Sequence, residues 1–334
     1  MNKLILVSLI LAGTLKAYSQ GCCSGGSGSP IAGGVSQGVL QANQLELASN
    51  YQYLSSNKFK SKDKTIDPLF DKLYSNYLYT RVAFGLSEKF TFSAETGYFF
   101  NKTQYSLKNR DTIESKGFGD LILMPRYQVY FKTTPKNKTE VVLGLGVKMP
   151  IGKYNDSTLI YTNPKNGRKY YTTSPPTVQP TSGSHDLIFY AFFSNEFRKQ
   201  RLKTFANLLY MKKGWNALGQ NFGDYASLGL FVNKSFYRRF NATLQIRGEM
   251  IGKMDYDNKI DMLAQYNIDV HSTGTKSIFI APQLSYSVRN FTTFVMTEIP
   301  LYQYANGTQV VAQTNLTAGV NYRFFPIKKK EIAE

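Results

Sequence analysis

The feature that most constrains this chain is a period-two alternation of apolar and polar residues, repeated in segments of ten or more residues. In 78–86, Leu78, Thr80, Val82, Phe84 and Leu86 take one face while Tyr79, Arg81, Ala83 and Gly85 take the other. Successive side chains of a strand point to opposite faces, so the pattern predicts a strand with one apolar and one wet face. Phe240, Ala242, Leu244, Ile246 and Met250 oppose Asn241, Thr243, Gln245, Arg247 and Glu249 in the same way. About twelve such segments lie near 44–54, 75–86, 89–101, 117–132, 139–150, 185–197, 202–214, 223–235, 239–251, 276–288, 291–302 and 311–325. No run of 18 apolar residues occurs, which excludes helical membrane spans.

The connections alternate in length. Short turns fall at 87–88, 133–138, 198–201, 236–238 and 289–290, and long polar loops at 55–74, 102–116, 151–184, 215–222, 252–275 and 303–310. An even-numbered antiparallel meander with alternating short and long connections is the layout of a transmembrane up-and-down β-barrel, short turns and both termini in the periplasm. Segment length agrees, since about 9–11 tilted residues cross a bilayer, whereas sandwich strands average about five or six. Closure leaves no strand edge unpaired in hydrocarbon. Tyr98, Phe99, Tyr127, Phe131, Phe236, Tyr237, Phe240, Phe291, Tyr322 and Phe324 lie near segment ends, where they suit interfacial girdles; each taken singly also fits ordinary strand propensity. At 14% aromatic the chain is not of disordered composition.

Residues 1–19 combine Lys3, an apolar stretch from Leu4 to Leu11, and small Ala17 and Ser19 before a cut after Ser19, as in a signal peptide. Export to the outer membrane of a Gram-negative bacterium follows, with a lipoprotein cut at Cys22 as the alternative. Residues 20–43 read as a flexible Gly/Ser-rich periplasmic segment, 44–325 as the barrel and 326–334 as a tail. The formal charge of +18 becomes +16 once Lys3 and Lys16 are removed. Nucleic acid is not the expected partner, because no clustered basic helix is present and the chain is exported. Two cysteines and two histidines preclude a disulfide framework or a multi-histidine metal centre, and no motif calls for a cofactor. The adjacent Cys22 and Cys23 either capture a soft metal through thiolates or serve lipidation or a partner disulfide.

Three stretches carry a resemblance. Lys116-Gly117-Phe118-Gly119-Asp120-Leu121 enters a strand, Lys148-Met149-Pro150-Ile151-Gly152-Lys153-Tyr154 leaves one, and Val178-Gln179-Pro180-Thr181-Ser182-Gly183-Ser184-His185-Asp186 enters the next. They are similar to the outer membrane proteins named after the meta-pathway of phenol degradation. The resemblance implies a transporter-like barrel, in specific motif over about residues 117 to 190. Where that family commonly has a Gly-Thr-Gly run, this chain has Thr181-Ser182-Gly183-Ser184-His185, so a phenolic substrate is not carried over.

With the apolar face toward lipid, the expected lumen-lining residues are Arg81, Glu95, Asp120, Arg126, Lys148, Asp186, Glu196, Arg247, Glu249, Glu298 and Arg323. Both signs are present, which predicts crosslinking ion pairs and a partly filled interior. About eight strands give a packed interior and 16–18 an open channel; twelve fall between. The predicted function is a narrow channel or facilitator for small solutes, with lipid and solute as partners and selectivity set by these charges; their alternative role is to stabilise the barrel. Asp120 and Asp186 either act there or cap strand starts. Lys58, Lys60, Lys62 and Lys64 form a basic outer loop. A non-conducting scaffold or adhesin is the second class. A lipase is the third, on Ser182, Ser184 and His185, or His271 with Ser272, and it needs a third group within hydrogen-bond reach to orient the imidazole. An enzyme is not the expectation.

Overall fold

The computed structural model describes residues 38–106, 112–237, 239–266 and 268–326. The expected signal peptide, Cys22, Cys23 and most of the Gly/Ser-rich segment and tail lie outside the described residues. The fold is a closed antiparallel barrel of twelve strands: β1 Leu45–Ser56, β2 Lys72–Gly85, β3 Phe90–Tyr105, β4 Asp120–Thr133, β5 Asn137–Pro150 and β6 Asp186–Phe197 form one half. β7 Leu202–Lys212, β8 Tyr225–Phe236, β9 Phe240–Ile251, β10 Thr275–Val288, β11 Phe291–Val310 and β12 Thr314–Phe324 form the other. Each strand pairs with its sequence neighbours, and β12 closes on β1 in a register from Leu45↔Phe324 to Ser55↔Thr314. Every backbone edge of the wall therefore has a partner, the condition for a sheet in hydrocarbon.

The alternation fixes what each face meets. In β2, Leu73, Ser75, Tyr77, Tyr79, Arg81 and Ala83 are buried inside. Outside, Val82, Leu145, Phe189, Leu228, Leu230 and Ile246 exemplify large apolar side chains left exposed, a band that would be a severe liability in water and is the expected covering of a lipid-facing wall. Alternation breaks where the pairing register shifts, in β2–β3 between Asn76 and Tyr77, in β10–β11 between Ile278 and Phe279, and in β4–β5. The β4–β5 register shifts between Gln128 and Tyr130, so Val129 is extra and Tyr130, placed on the inner face by period two, is exposed.

Both ends are narrowed by inward-folded chain. At the short-turn end, residues 38–44 enter the mouth: the backbone N–H of Leu40 donates to the buried Thr91 Oγ1 at 2.7 Å and that of Val39 to Glu140 Oε1 at 3.2 Å. The Asn43 N–H reaches the Gly85 carbonyl at 2.7 Å. Gly85 is required here, because a Cβ would stand 2.0 Å from the Gln41 carbonyl oxygen. At the long-loop end, residues 174–185 run inward, with Val178 fully buried among Phe59, Phe70, Leu73 and Val310. A second apolar cap joins Phe222, Met254, Met262 and Ile268.

Candidate functional site: the lumen and its chamber

The inner wall is not uniformly polar. From β4 through β9 it carries an apolar lining that includes Ile122, Met124, Val142, Ile188, Phe192, Phe205, Leu209 and Phe231, with Phe205 and Phe231 stacked at 4.2 Å between centroids. Across the lumen the wall is ionic. Glu46 on β1 contacts both Arg81 on β2 and Arg323 on β12. Glu95 on β3 accepts from the Tyr79 hydroxyl at 2.6 Å and from Ser93 Oγ at 3.0 Å. A separate triad joins Arg247 to Glu249 and, at 2.8 Å, to Glu298. Its guanidinium lies 4.7 Å from the Phe279 ring centroid, and Asn315 Nδ2 donates to Glu298 Oε2 at 2.6 Å.

A fourth group lies under the long loops. Lys148 Nζ touches Asp120 Oδ2 at 3.0 Å, Asp186 Oδ2 at 2.9 Å and Ser182 Oγ at 2.9 Å. The contacts to Asp120 and Ser182 are hydrogen bonds, and the one to Asp186 is an ion pair. Asp186 also holds Lys213 Nζ at 3.0 Å and accepts from the Gly214 N–H at 3.0 Å. The cluster borders a chamber of about 150 Å³, whose wall includes Phe99, Tyr154, Phe222, Tyr225 and Tyr266. That volume matches an apolar cavity of about 150 Å³ able to take a benzene ring. Lys102, Lys148, Lys213 and Asp120 supply its charges; counting Asp186 behind them, three cations face two carboxylates, an excess of one positive charge. Asp120 Oδ1 is buried without a hydrogen-bond partner and is therefore an acceptor available to a bound molecule.

The roof over this chamber is the 174–185 loop. Lys102 Nζ donates to the Gln179 carbonyl at 2.7 Å and Asn216 Nδ2 to the Ser182 carbonyl at 2.9 Å. Gly183 takes φ +76°, and a Cβ there would fall 2.4 Å from the Tyr154 ring.

Of the eleven residues read as lumen-lining, the structure gathers Asp120, Lys148 and Asp186 in one cluster and Arg247, Glu249 and Glu298 in another. Arg81 and Arg323 both contact Glu46, and Glu95 and Arg126 are buried nearby. Glu196 is half-buried near the short-turn end, away from these clusters. Sequence reading passed over Glu46, Glu140, Lys102 and Lys213. Glu46 alternates in phase with Asn50 and Gln52, a signal that was present; Lys213 lies just past a strand end, where period two no longer speaks.

Among the described residues no hydrogen bond joins a candidate serine to a candidate histidine. Ser182 Oγ bonds Lys148 and, at 2.9 Å, Ser184 Oγ, while His185 is exposed. Asp269 accepts from Ser272 Oγ at 2.7 Å and from the backbone N–H of His271 at 3.0 Å, capping a 3-10 turn. Among the described residues no group of three or more potential metal ligands occurs.

No known protein family matches the chain, and no curated protein matches it in sequence. Among solved structures it is similar to the COG4313 outer membrane channel from Pseudomonas putida F1, with a TM-score of 0.63 at 10% identity, covering 87% of this chain and 99% of that one. The KdgM porin has a TM-score of 0.40 at 10% identity, covering 83% and 99%. The translocator domain of the autotransporter NalP from Neisseria meningitidis has 0.45 at 12% identity, covering 84% and 88%. The first likeness is one of fold, a closed antiparallel barrel of the outer membrane type.

Proposed function

We propose that this chain is an outer membrane channel or transporter-like barrel for small solutes with an apolar body and an anionic group, and that it rests in a closed state. The carrying observation is the chamber of about 150 Å³, its wall including aromatic rings, with Lys102, Lys148, Lys213 and Asp120 on its lining and Asp186 paired behind them. An apolar body gains by leaving water for such a wall, and the surplus positive charge favours an anion. The apolar inner wall of β4–β9 provides a continuation from the chamber toward the short turns. In this reading the short turns and both termini face the periplasm and the long loops face outward. We propose a kinship with the outer membrane proteins named after the meta-pathway of phenol degradation; what supports it is that the three stretches that carry that resemblance meet at Lys148, through Asp120, Ser182 and Asp186.

The second reading, a non-conducting scaffold, is favoured by the ion pairs that crosslink the inner wall. Planar-bilayer recording separates the two. A channel gives discrete conductance steps that become larger or more frequent in a variant lacking residues 20–41. A membrane that stays silent with both proteins, after heat-modifiable gel migration has verified folding, refutes the channel.

A further inference from the structure

The short-turn end of the barrel carries an excess of exposed cations over carboxylates. Lys89 stands in the β2–β3 turn, and Lys132 and Lys136 in or beside the β4–β5 turn. The β6–β7 turn carries Arg198, Lys199 and Arg201. Lys234 and Arg239 flank the β8–β9 turn, and Arg289 occupies the β10–β11 turn. All nine are exposed. Among the described residues of these turns Glu88 is the one exposed carboxylate, and no ion pair holds any of the nine.

Two aspects of the arrangement identify what such a ring meets. The cations are spread over all five short turns, hence around the whole circumference, whereas a soluble acidic partner would need them gathered on one face. They also stand directly outside an aromatic girdle. Phe131, Phe236, Phe240 and Phe291 are exposed beside them, Phe240 packs on Tyr286 at 4.8 Å and Phe291 on Tyr322 at 4.3 Å between centroids. Arg239 Nη1 reaches the Tyr286 hydroxyl at 3.4 Å. Aromatic rings of a membrane barrel lie at headgroup depth, which sets the cations level with lipid phosphates.

We propose that the short-turn rim is an annular binding surface for anionic phospholipid headgroups, which fixes the depth of the barrel in its leaflet. Each Lys or Arg near an anionic surface is attracted to it, and the attraction decays within a Debye length. The proposal depends on the barrel spanning a bilayer and not on transport, so it holds for a channel and a scaffold alike.

The test is electron paramagnetic resonance of the folded protein in phosphatidylcholine vesicles doped with spin-labelled phosphatidylglycerol or spin-labelled phosphatidylcholine. The expected result is a preference of about twofold to fivefold for phosphatidylglycerol in low salt, falling toward parity in molar salt and in a variant with all nine cations replaced by Gln. The motionally restricted phosphatidylcholine population reports insertion separately from selectivity. Should the ninefold variant not fold, the triple variant Arg198→Gln, Lys199→Gln, Arg201→Gln is read by the same ratio and must fall part of the way. Equal association of the two lipids with the native protein overturns the proposal. So does a preference that survives both salt and substitution, or binding of soluble polyglutamate without any lipid preference.

Discussion

Replacing Lys148 by Met keeps the length and most of the volume of the side chain but deletes an ammonium with three partners at 2.9–3.0 Å. Removing one member of a buried ion pair costs about 3–5 kcal/mol, because the remaining charge is left without compensation. Two features reduce that here. Asp186, whose side chain is 0% exposed, retains Lys213 at 3.0 Å and the Gly214 N–H at 3.0 Å. Asp120, with its side chain 23% exposed, regains some hydration. The expected loss is about 2–3 kcal/mol. Loss of the Ser182 contact also loosens the chamber roof, so the long-loop end should respond before the barrel. Urea unfolding in detergent micelles checks both stages. The single tryptophan, Trp215, lies two residues from Lys213 and reports the loops, while heat-modifiable migration reports the barrel. Lys212→Met is the control, since Lys212 pairs with Asp224 on the exposed wall at 2.9 Å, and surface pairs contribute at most about 1 kcal/mol. A Lys148→Met protein within about 0.5 kcal/mol of the native one, or no worse than Lys212→Met, would refute the assignment of Lys148 as the keystone of this end.

Three further outcomes are expected. Gly85→Val sets a side chain against the Gln41 carbonyl and should expel residues 38–44 from the mouth, seen as protease cleavage there together with larger bilayer conductance. Asp224 is partly buried, which opposes ionisation, but hydrogen bonds from the Tyr210 hydroxyl, the Lys213 N–H and Lys212 outweigh this and hold its carboxyl below the ordinary value. Such a group stabilises above the unfolded-state value and ceases to do so as pH falls through the folded one; Asp224→Asn should therefore cost up to about 0.5 kcal/mol at neutral pH and nothing in strong acid, by urea unfolding at both. Lys213→Gln removes the chamber's surplus positive charge, and liposome uptake of an aromatic monocarboxylate such as benzoate should fall several-fold relative to neutral benzyl alcohol; an unchanged ratio would show that the charge does not select.

The wall was legible because period two is a physical rule that each strand obeys on its own. Expected and observed segments coincide within a few residues, as for 239–251 against Phe240–Ile251. Extensions such as the outer reach of β11, where Phe291–Val310 outruns the expected 291–302, were not, because residues 303–310 continue as a strand only by pairing with β10 and with the short strand Phe59–Lys62. The apolar half of the lumen was missed for a related reason. Phe192, Phe205 and Phe231 are inward-facing yet apolar, and a rule that equates apolar with lipid-facing cannot see them. The clustering at Lys148 depends on β4, β5 and β6 being adjacent and in register, Asp186 opposite Lys148 and Ile122 opposite Lys148, which no single segment encodes.

The two closures are held by unequal means, and this decides which one yields first. The 174–185 roof is tied by Lys102, Lys148 and Asn216 and anchored by Val178 in an apolar cluster. Charge-assisted bonds are roughly twice as strong as neutral ones, and burial of a valine adds about 1.5–3 kcal/mol. Residues 38–44 hold to the wall chiefly through the N–H groups of Val39, Leu40 and Asn43 and the packing of Leu40; the Leu40 and Asn43 bonds are neutral and worth about 1 kcal/mol each in net terms, and the Val39 bond to the Glu140 carboxylate is the one charge-assisted tie among them. Withdrawing this segment gives those groups to water, so the net cost is smaller still. Opening at the short-turn end is therefore the lower-energy route, and a solute in the chamber would have the apolar wall of β4–β9 as its path out once residues 38–44 withdraw.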